Sequence, residues 1–187
     1  MIACYIYDGM ADFEITLLLH RLKNTGKREI ITISEDTDKI VAQSGMTYLP
    51  DRKITDIKGI GDIEALIIPG GPINNEQNAI ISLVQDLISS NKLVASICFS
   101  PQFLGRAGVL DHYQFTTSCS AAKIKQLGCA DPFNWNHYLD QRVVIDRNLI
   151  TAQGYAFVDF ACAVADYLDI FTDEVQRYEQ LGRVKES

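Results

Sequence analysis

Short, wholly apolar runs alternate with segments of helical periodicity along most of this chain. Ile2–Tyr7 reads as a first strand, and Asp12 as the N-cap of a helix from Phe13 to about Lys23. That helix carries Ile15, Leu18, Leu19 and Leu22 on one face, with Gly26 just beyond its end. Glu29–Ser34 is a second strand, and residues 35–64 are polar and turn-rich, with a short hairpin around Ser44-Gly45. Ala65–Ile68 is a strand that stops at Pro69-Gly70-Gly71-Pro72. Glu76–Ser90 reads as helix, Leu93–Ile97 as strand and Ser100–Ala107 as helix, stopped by Gly108. Gln114–Thr117 reads as a short strand and Ser120–Leu127 as a helix closed by Gly128. A ribbon of Val143–Asp146 and Leu149–Thr151 turns at Arg147-Asn148. A helix from about Tyr155 to Leu168 and a short one ending near Leu181 complete the pattern.

Apolar strands without polar alternation must be covered on both faces, which predicts a mostly parallel sheet between two layers of helices. The expected fold is α/β, three-layered and doubly wound, in a single domain spanning residues 1–187. Ligands in such folds sit beyond the carboxyl ends of the strands. Three segments meet there: Tyr7–Glu14 after the first strand, Pro69–Pro72 after the third, and Cys98 after the fourth.

Cys98 ends a strand and a helix begins directly behind it, as in a nucleophile elbow. Such a turn needs small residues two before and two after the nucleophile, and Ser96 and Ser100 occupy those positions. A helix N-terminus favours the thiolate, so the expected thiol pKa lies well below the ~8.5 of a free cysteine. The alternative is a buried structural cysteine at a strand end. Glu14 stands in the first turn of its helix, either as an acid complementing the dipole or as a raised-pKa partner for the thiol. Gly70-Gly71 is either a plain turn or a backbone oxyanion site shared with the N–H of Phe99.

Composition narrows the function classes. Basic residues number 17 against 24 acidic, a net charge of −7, and they do not cluster, which argues against nucleic-acid binding. No apolar run reaches the ~20 residues of a membrane span, and the apolar start lacks a basic leader, so a soluble, cytoplasmic protein is expected. Five cysteines (Cys4, Cys98, Cys119, Cys129, Cys162) show no C-x-x-C spacing, so neither a disulfide framework nor a metal site is expected. No G-x-G-x-x-G follows the first strand and no Walker lysine is present, so no cofactor is expected. A cysteine nucleophile ordinarily needs a base, and the candidates are His20, His112 and His137. Each reads as a surface or half-buried residue. His137 reaches the site only if its aromatic segment folds over it or across a dimer interface.

These motifs resemble the ThiJ/PfpI superfamily (the DJ-one group), with a flavodoxin-like sheet similar to that of class I glutamine amidotransferases. The resemblance rests on Tyr7–Glu14, Ala65–Gly71, the Ala95–Cys98 elbow with Ser100-Pro101-Gln102 and Ala107–Leu110, and Leu149–Gly154 with Asp159-Phe160-Ala161. It implies that Cys98 is the reactive thiol, Glu14 its partner, and the chain a homodimer. Protease-like members carry a histidine directly after the cysteine, where this chain has Phe99. Others carry one after paired threonines, where Thr116-Thr117 is followed here by Ser118-Cys119. The implied function is therefore a cysteine-dependent hydrolase or lyase of glyoxalase, deglycase or amidase type. It would act on a small electrophilic carbonyl or amide through a Cys-Glu dyad. The alternative is a redox-sensing or stress-response protein with an oxidisable cysteine and no turnover. Ser118, Cys119 and His137 are accessory candidates; for Cys119 a surface position is the plainer reading.

Overall fold

The computed structural model describes residues 1–73 and 78–181. Its elements are β1 (Ile2–Tyr5), α1 (Phe13–Asn24), β2 (Ile30–Ser34), β3 (Ile40–Val41), β4 (Thr47–Tyr48) and β5 (Arg52–Lys53). Then come β6 (Ala65–Ile68), α2 (Ile80–Ser89), β7 (Leu93–Ile97), α3 (Pro101–Arg106) and α4 (Ala121–Leu127). The chain continues through β8 (Val143–Asp146), β9 (Leu149–Ala152), α5 (Phe157–Tyr167) and α6 (Glu174–Leu181). The expected start of the second helix, at Glu76, falls outside the described residues.

Seven strands form one sheet in the order β5-β2-β1-β6-β7-β9-β8. Every neighbouring pair is parallel except β8 with β9. β3 and β4 make the separate antiparallel hairpin that Ser44-Gly45 signalled. Alternate residues of the central strands feed two different cores, the reason these strands read as unbroken apolar runs. Ala3, Tyr5, Leu66, Ile68 and Val94 pack on one side with α2 and α3. Ile2, Cys4, Ile67, Ala95 and Ile97 pack on the other with α1 and α5. The result is the expected three-layer, flavodoxin-like arrangement. From β1 the chain first builds outward through β2 to β5, then returns to β6 on the other side of β1. That reversal between β1 and β6 opens a crevice at the carboxyl ends of the strands.

Two local expectations need correction. Gln114–Thr117 is not a strand, because only Phe115 bridges, in parallel, to Tyr138. The Thr116 N–H donates instead to the Thr151 hydroxyl, 2.9 Å away, so the ladder cannot continue. Asp12 precedes α1, but its side chain does not cap the helix. Its carboxylate accepts hydrogen bonds from the hydroxyls of Ser44 (2.5 Å) and Tyr48 (2.9 Å), pinning the β3–β4 hairpin to the start of α1.

Candidate active site

Cys98 adopts φ +66°, a left-handed conformation that costs energy for any residue with a Cβ. The strain is held by backbone bonds on both sides. The Cys98 N–H donates to Ala152 O at 2.8 Å, and its carbonyl accepts from the Ser118 N–H (3.0 Å) and the Thr117 hydroxyl (2.6 Å). Beneath the turn, the Ser96 and Ser100 hydroxyls meet at 2.7 Å, and both residues are fully buried. The Ser100 oxygen also accepts from the Ile97 N–H at 2.9 Å. Larger side chains at either position would fill the space these bonds use, so the small flanking residues are a steric requirement of the elbow.

Glu14, the second residue of α1, is buried and aimed inward. Its Oε2 accepts the Gly70 N–H at 2.8 Å, and the carboxyl hydrogen-bonds the Cys98 thiol. Gly70 therefore holds the carboxylate, and its N–H is not free to serve a substrate oxyanion. The Phe99 N–H points at the Cys98 sulfur, as does the Ser118 hydroxyl. Ser118 Oγ in turn accepts the Gly154 N–H at 2.7 Å, so donors line up from Gly154 through Ser118 to the thiol.

The thiol departs from the sequence expectation, whereas the raised pKa of Glu14 meets it. Burial pushes Glu14 up to about 7, against the opposing pull of the Gly70 and Cys98 hydrogen bonds. Cys98 is pushed up to about 12, first by burial, then by the charge and hydrogen bond of Glu14. Ser118 and the Phe99 N–H pull it down, but they do not outweigh the lost water. The thiol is thus not depressed in the presence of an ionised Glu14. The two groups lose protons as a unit, one near 7 and the second near 12. Near neutral pH the thiol keeps its proton and the carboxyl is part ionised, with donors waiting at both Sγ and Oε2.

Cys98 and Glu14 open onto a cavity of about 810 Å³ that also exposes Gly71, Phe99, Ser118 and Gly154. Two glycines make room for the pair. A Cβ on Gly70 would stand 2.5 Å from both Cys98 Cβ and Glu14 Oε2. One on Gly154 would stand 2.8 Å from Glu14 Oε1 and 3.0 Å from Cys98 Sγ. Gly154 entered the sequence reading only as the end of the Leu149–Gly154 motif, not as a site residue; its position two residues after β9, beside the strand that ends in Cys98, was the available signal. Gly71 packs on the Tyr7 ring, 2.6–2.8 Å from where its Cβ would be, and the Tyr7 hydroxyl bonds Pro69 O at 2.9 Å. That contact fixes the glycine turn against the loop after β1.

The remaining candidates lie elsewhere. None of the three histidines lines the cavity. His20 is exposed on α1 and meets Asn24, and His112 is also exposed. His137 lies within electrostatic reach of Asp146, which pairs with Leu149 at the start of β9, away from the carboxyl end that carries Cys98. Cys119 is buried, correcting the surface expectation, and its thiol is pushed up chiefly by burial. Cys4 and Cys162 are buried as well. Among the described residues no helix is long and apolar enough to cross a membrane.

Comparison with known proteins bears on the fold and the family. A protein from Thermococcus kodakarensis named Deglycase TK1284 is 29% identical over 150 residues, covering 78% of this chain and 85% of its own. The uncharacterized protease YoaZ of Bacillus subtilis is 25% identical over 183 residues, covering 92% and 85%. The crystal structure of the DJ-1 superfamily protein Atu0886 from Agrobacterium tumefaciens superposes with a TM-score of 0.80 at 29% identity, covering 96% of this chain and 95% of that one. The model of the DJ-1/PfpI family matches residues 1–166, so the chain, with its strained cysteine elbow and buried glutamate, belongs to the DJ-1/PfpI family.

Proposed function

We propose that this protein is a cysteine-dependent enzyme acting on a small 2-oxoaldehyde or a similarly activated carbonyl, with Cys98 as nucleophile and Glu14 as proton carrier. The observation that carries the reading is the shared hydrogen bond between Cys98 and a glutamate whose pKa lies near 7, both opening onto one cavity. A group poised there can give and take a proton at neutral pH. The deglycase name of a 29%-identical relative supports a carbonyl substrate.

In this reading Cys98 Sγ adds to the aldehyde carbon. The C–S bond forms, the C=O π pair moves to oxygen, and that oxygen takes the proton held by the pair. The Phe99 and Gly71 N–H groups steady the oxygen as charge develops. Glu14 then removes the hydrogen of the same carbon as a proton, the electron pair flows to the adjacent ketone, and the hydroxyl proton of the attacked carbon passes to the ketone oxygen, giving an enediolate. Return of the proton to the second carbon leaves a 2-hydroxy thioester, which water cleaves to a 2-hydroxy acid and free thiol. One carbon is oxidised and its neighbour reduced, so no external redox partner is needed. No histidine is called on; Ser118 supplies a hydroxyl beside the sulfur in its place. Methylglyoxal should be converted to lactate by the wild type and not by Cys98→Ser. Equal rates in both would end the proposal.

The histidine-free cavity also supports a second reading, in which Cys98 is an oxidation sensor without turnover. Mild peroxide would then convert Cys98 to its sulfenic or sulfinic acid ahead of buried Cys4, Cys119 and Cys162, while methylglyoxal stays untouched. Uniform oxidation of all five thiols would remove that reading.

A further inference from the structure

The wall of the Cys98 cavity includes Lys123, on α4. It is the one cation among the described lining residues, and no carboxylate among the described residues forms an ion pair with it. Much of the surrounding lining is apolar, contributed by Phe13, Ile73, Leu127 and Phe157. Helix stability does not account for this lysine. It is the third residue of α4, in a first turn where the helix dipole disfavours positive charge. Nor does it serve the thiol: the charge acting on Cys98 is that of Glu14, whereas Lys123 acts on Cys119. Lys123 and Cys98 thus face one cavity from different elements, α4 and the turn that follows β7.

We infer that Lys123 is a specificity-determining residue that pairs with an anionic group, a carboxylate, at the end of the substrate remote from the carbon attacked by Cys98. This deepens the proposed function and rests on it for the word substrate. The preferred class becomes a 2-oxoaldehyde or 2-oxo compound carrying a terminal carboxylate. On a protein of net charge −7, the one cation among the described lining residues gives such a ligand its local attraction. The apolar walls lower the effective dielectric between the two charges, which strengthens the contact relative to open water.

The test uses thiol alkylation, which needs no turnover. Iodoacetylglycine and iodoacetylglycinamide form the same C–S bond with loss of iodide and differ by one terminal charge. Their rates at Cys98 are read by peptide mass spectrometry, and their ratio within each protein cancels changes in thiol reactivity. The wild type should favour the carboxylate reagent by about fivefold, the scale of a half-exposed ion pair. Lys123→Gln should lose that preference and Lys123→Arg should keep it. The same ratio in wild type and Lys123→Gln overturns the inference. Absence of turnover with every 2-oxoaldehyde, beside an intact charge preference, would defeat the proposed reaction and leave the anion contact standing.

Discussion

Gly154 lies against Cys98 so closely that a Cβ added to the glycine would stand 3.0 Å from the sulfur. The same atom would stand 2.8 Å from Glu14 Oε1. The glycine is thus a wall of the site, and its missing side chain is the space in which carboxyl and thiol meet.

Gly154→Ala should therefore push the two groups apart while the fold survives, since the two nearest obstructing atoms are ends of side chains and the Cys98 Cβ lies farther off, at 3.1 Å. We expect at least a tenfold loss of methylglyoxal turnover, with a stability loss of about 1–3 kcal/mol, typical of overpacking. Gly70→Ala should cost more stability than Gly154→Ala. Its Cβ would meet Cys98 Cβ at 2.5 Å, an atom fixed by the strained elbow. Urea denaturation midpoints rank the two variants, and the reverse order would contradict the packing described.

Glu14→Gln tests the coupled titration. The charge of Glu14 helps hold Cys98 up near 12, so the neutral amide should lower the thiol pKa, read from ultraviolet thiolate absorbance. The same substitution changes stability against pH. Folding raises Glu14 from 4.5 to about 7, so its contribution is fully present below 4.5 and is lost as pH rises towards 7. The wild type should lose roughly 3 kcal/mol across that window from this group. Glu14→Gln should lack that decline; an unchanged pH–stability profile would show that Glu14 titrates as an ordinary surface acid.

Asp12 supplies a third test. Burial raises its pKa, but the hydrogen bonds of Ser44 and Tyr48 outweigh it and hold the carboxyl below its ordinary value. Asp12→Ala should cost about 1–3 kcal/mol, the scale of lost charged hydrogen bonds. Ser44→Ala and Tyr48→Phe should each recover part of that loss when combined with it, since all three act on one contact. Strict additivity in a double-mutant cycle would return Asp12 to the helix-capping role its sequence position implied.

Much of the site was legible because its signals are local. Ser96 and Ser100 flank Cys98 at the spacing that the turn requires, and Glu14 stands in the first turn of the helix that follows the first strand. The site role of Gly154, read only as the end of a motif, was missed because a glycine's importance lies in what approaches it. Here that is Glu14 and Cys98, far away in sequence. The Gln114–Thr117 segment was misread for a related reason: its β-forming residues spend their hydrogen bonds on Thr151 and the segment around Tyr138.

The sequence by itself determined the layered α/β fold, since apolar runs that lack polar alternation can be buried only between two helical layers. It also determined the order of the site motifs along the chain. Tertiary structure alone decided how the pair ionises. The helix start behind Cys98 promised a depressed thiol, yet burial and the adjoining carboxyl dominate, and both come from chain distant in sequence. It likewise decided that Gly70 serves Glu14, that Asp12 serves the β3–β4 hairpin, and that Lys123 faces the cavity of Cys98. Periodicity reports which face of an element is buried, whereas hydrogen-bond partners and desolvation depend on what the rest of the chain brings to that face.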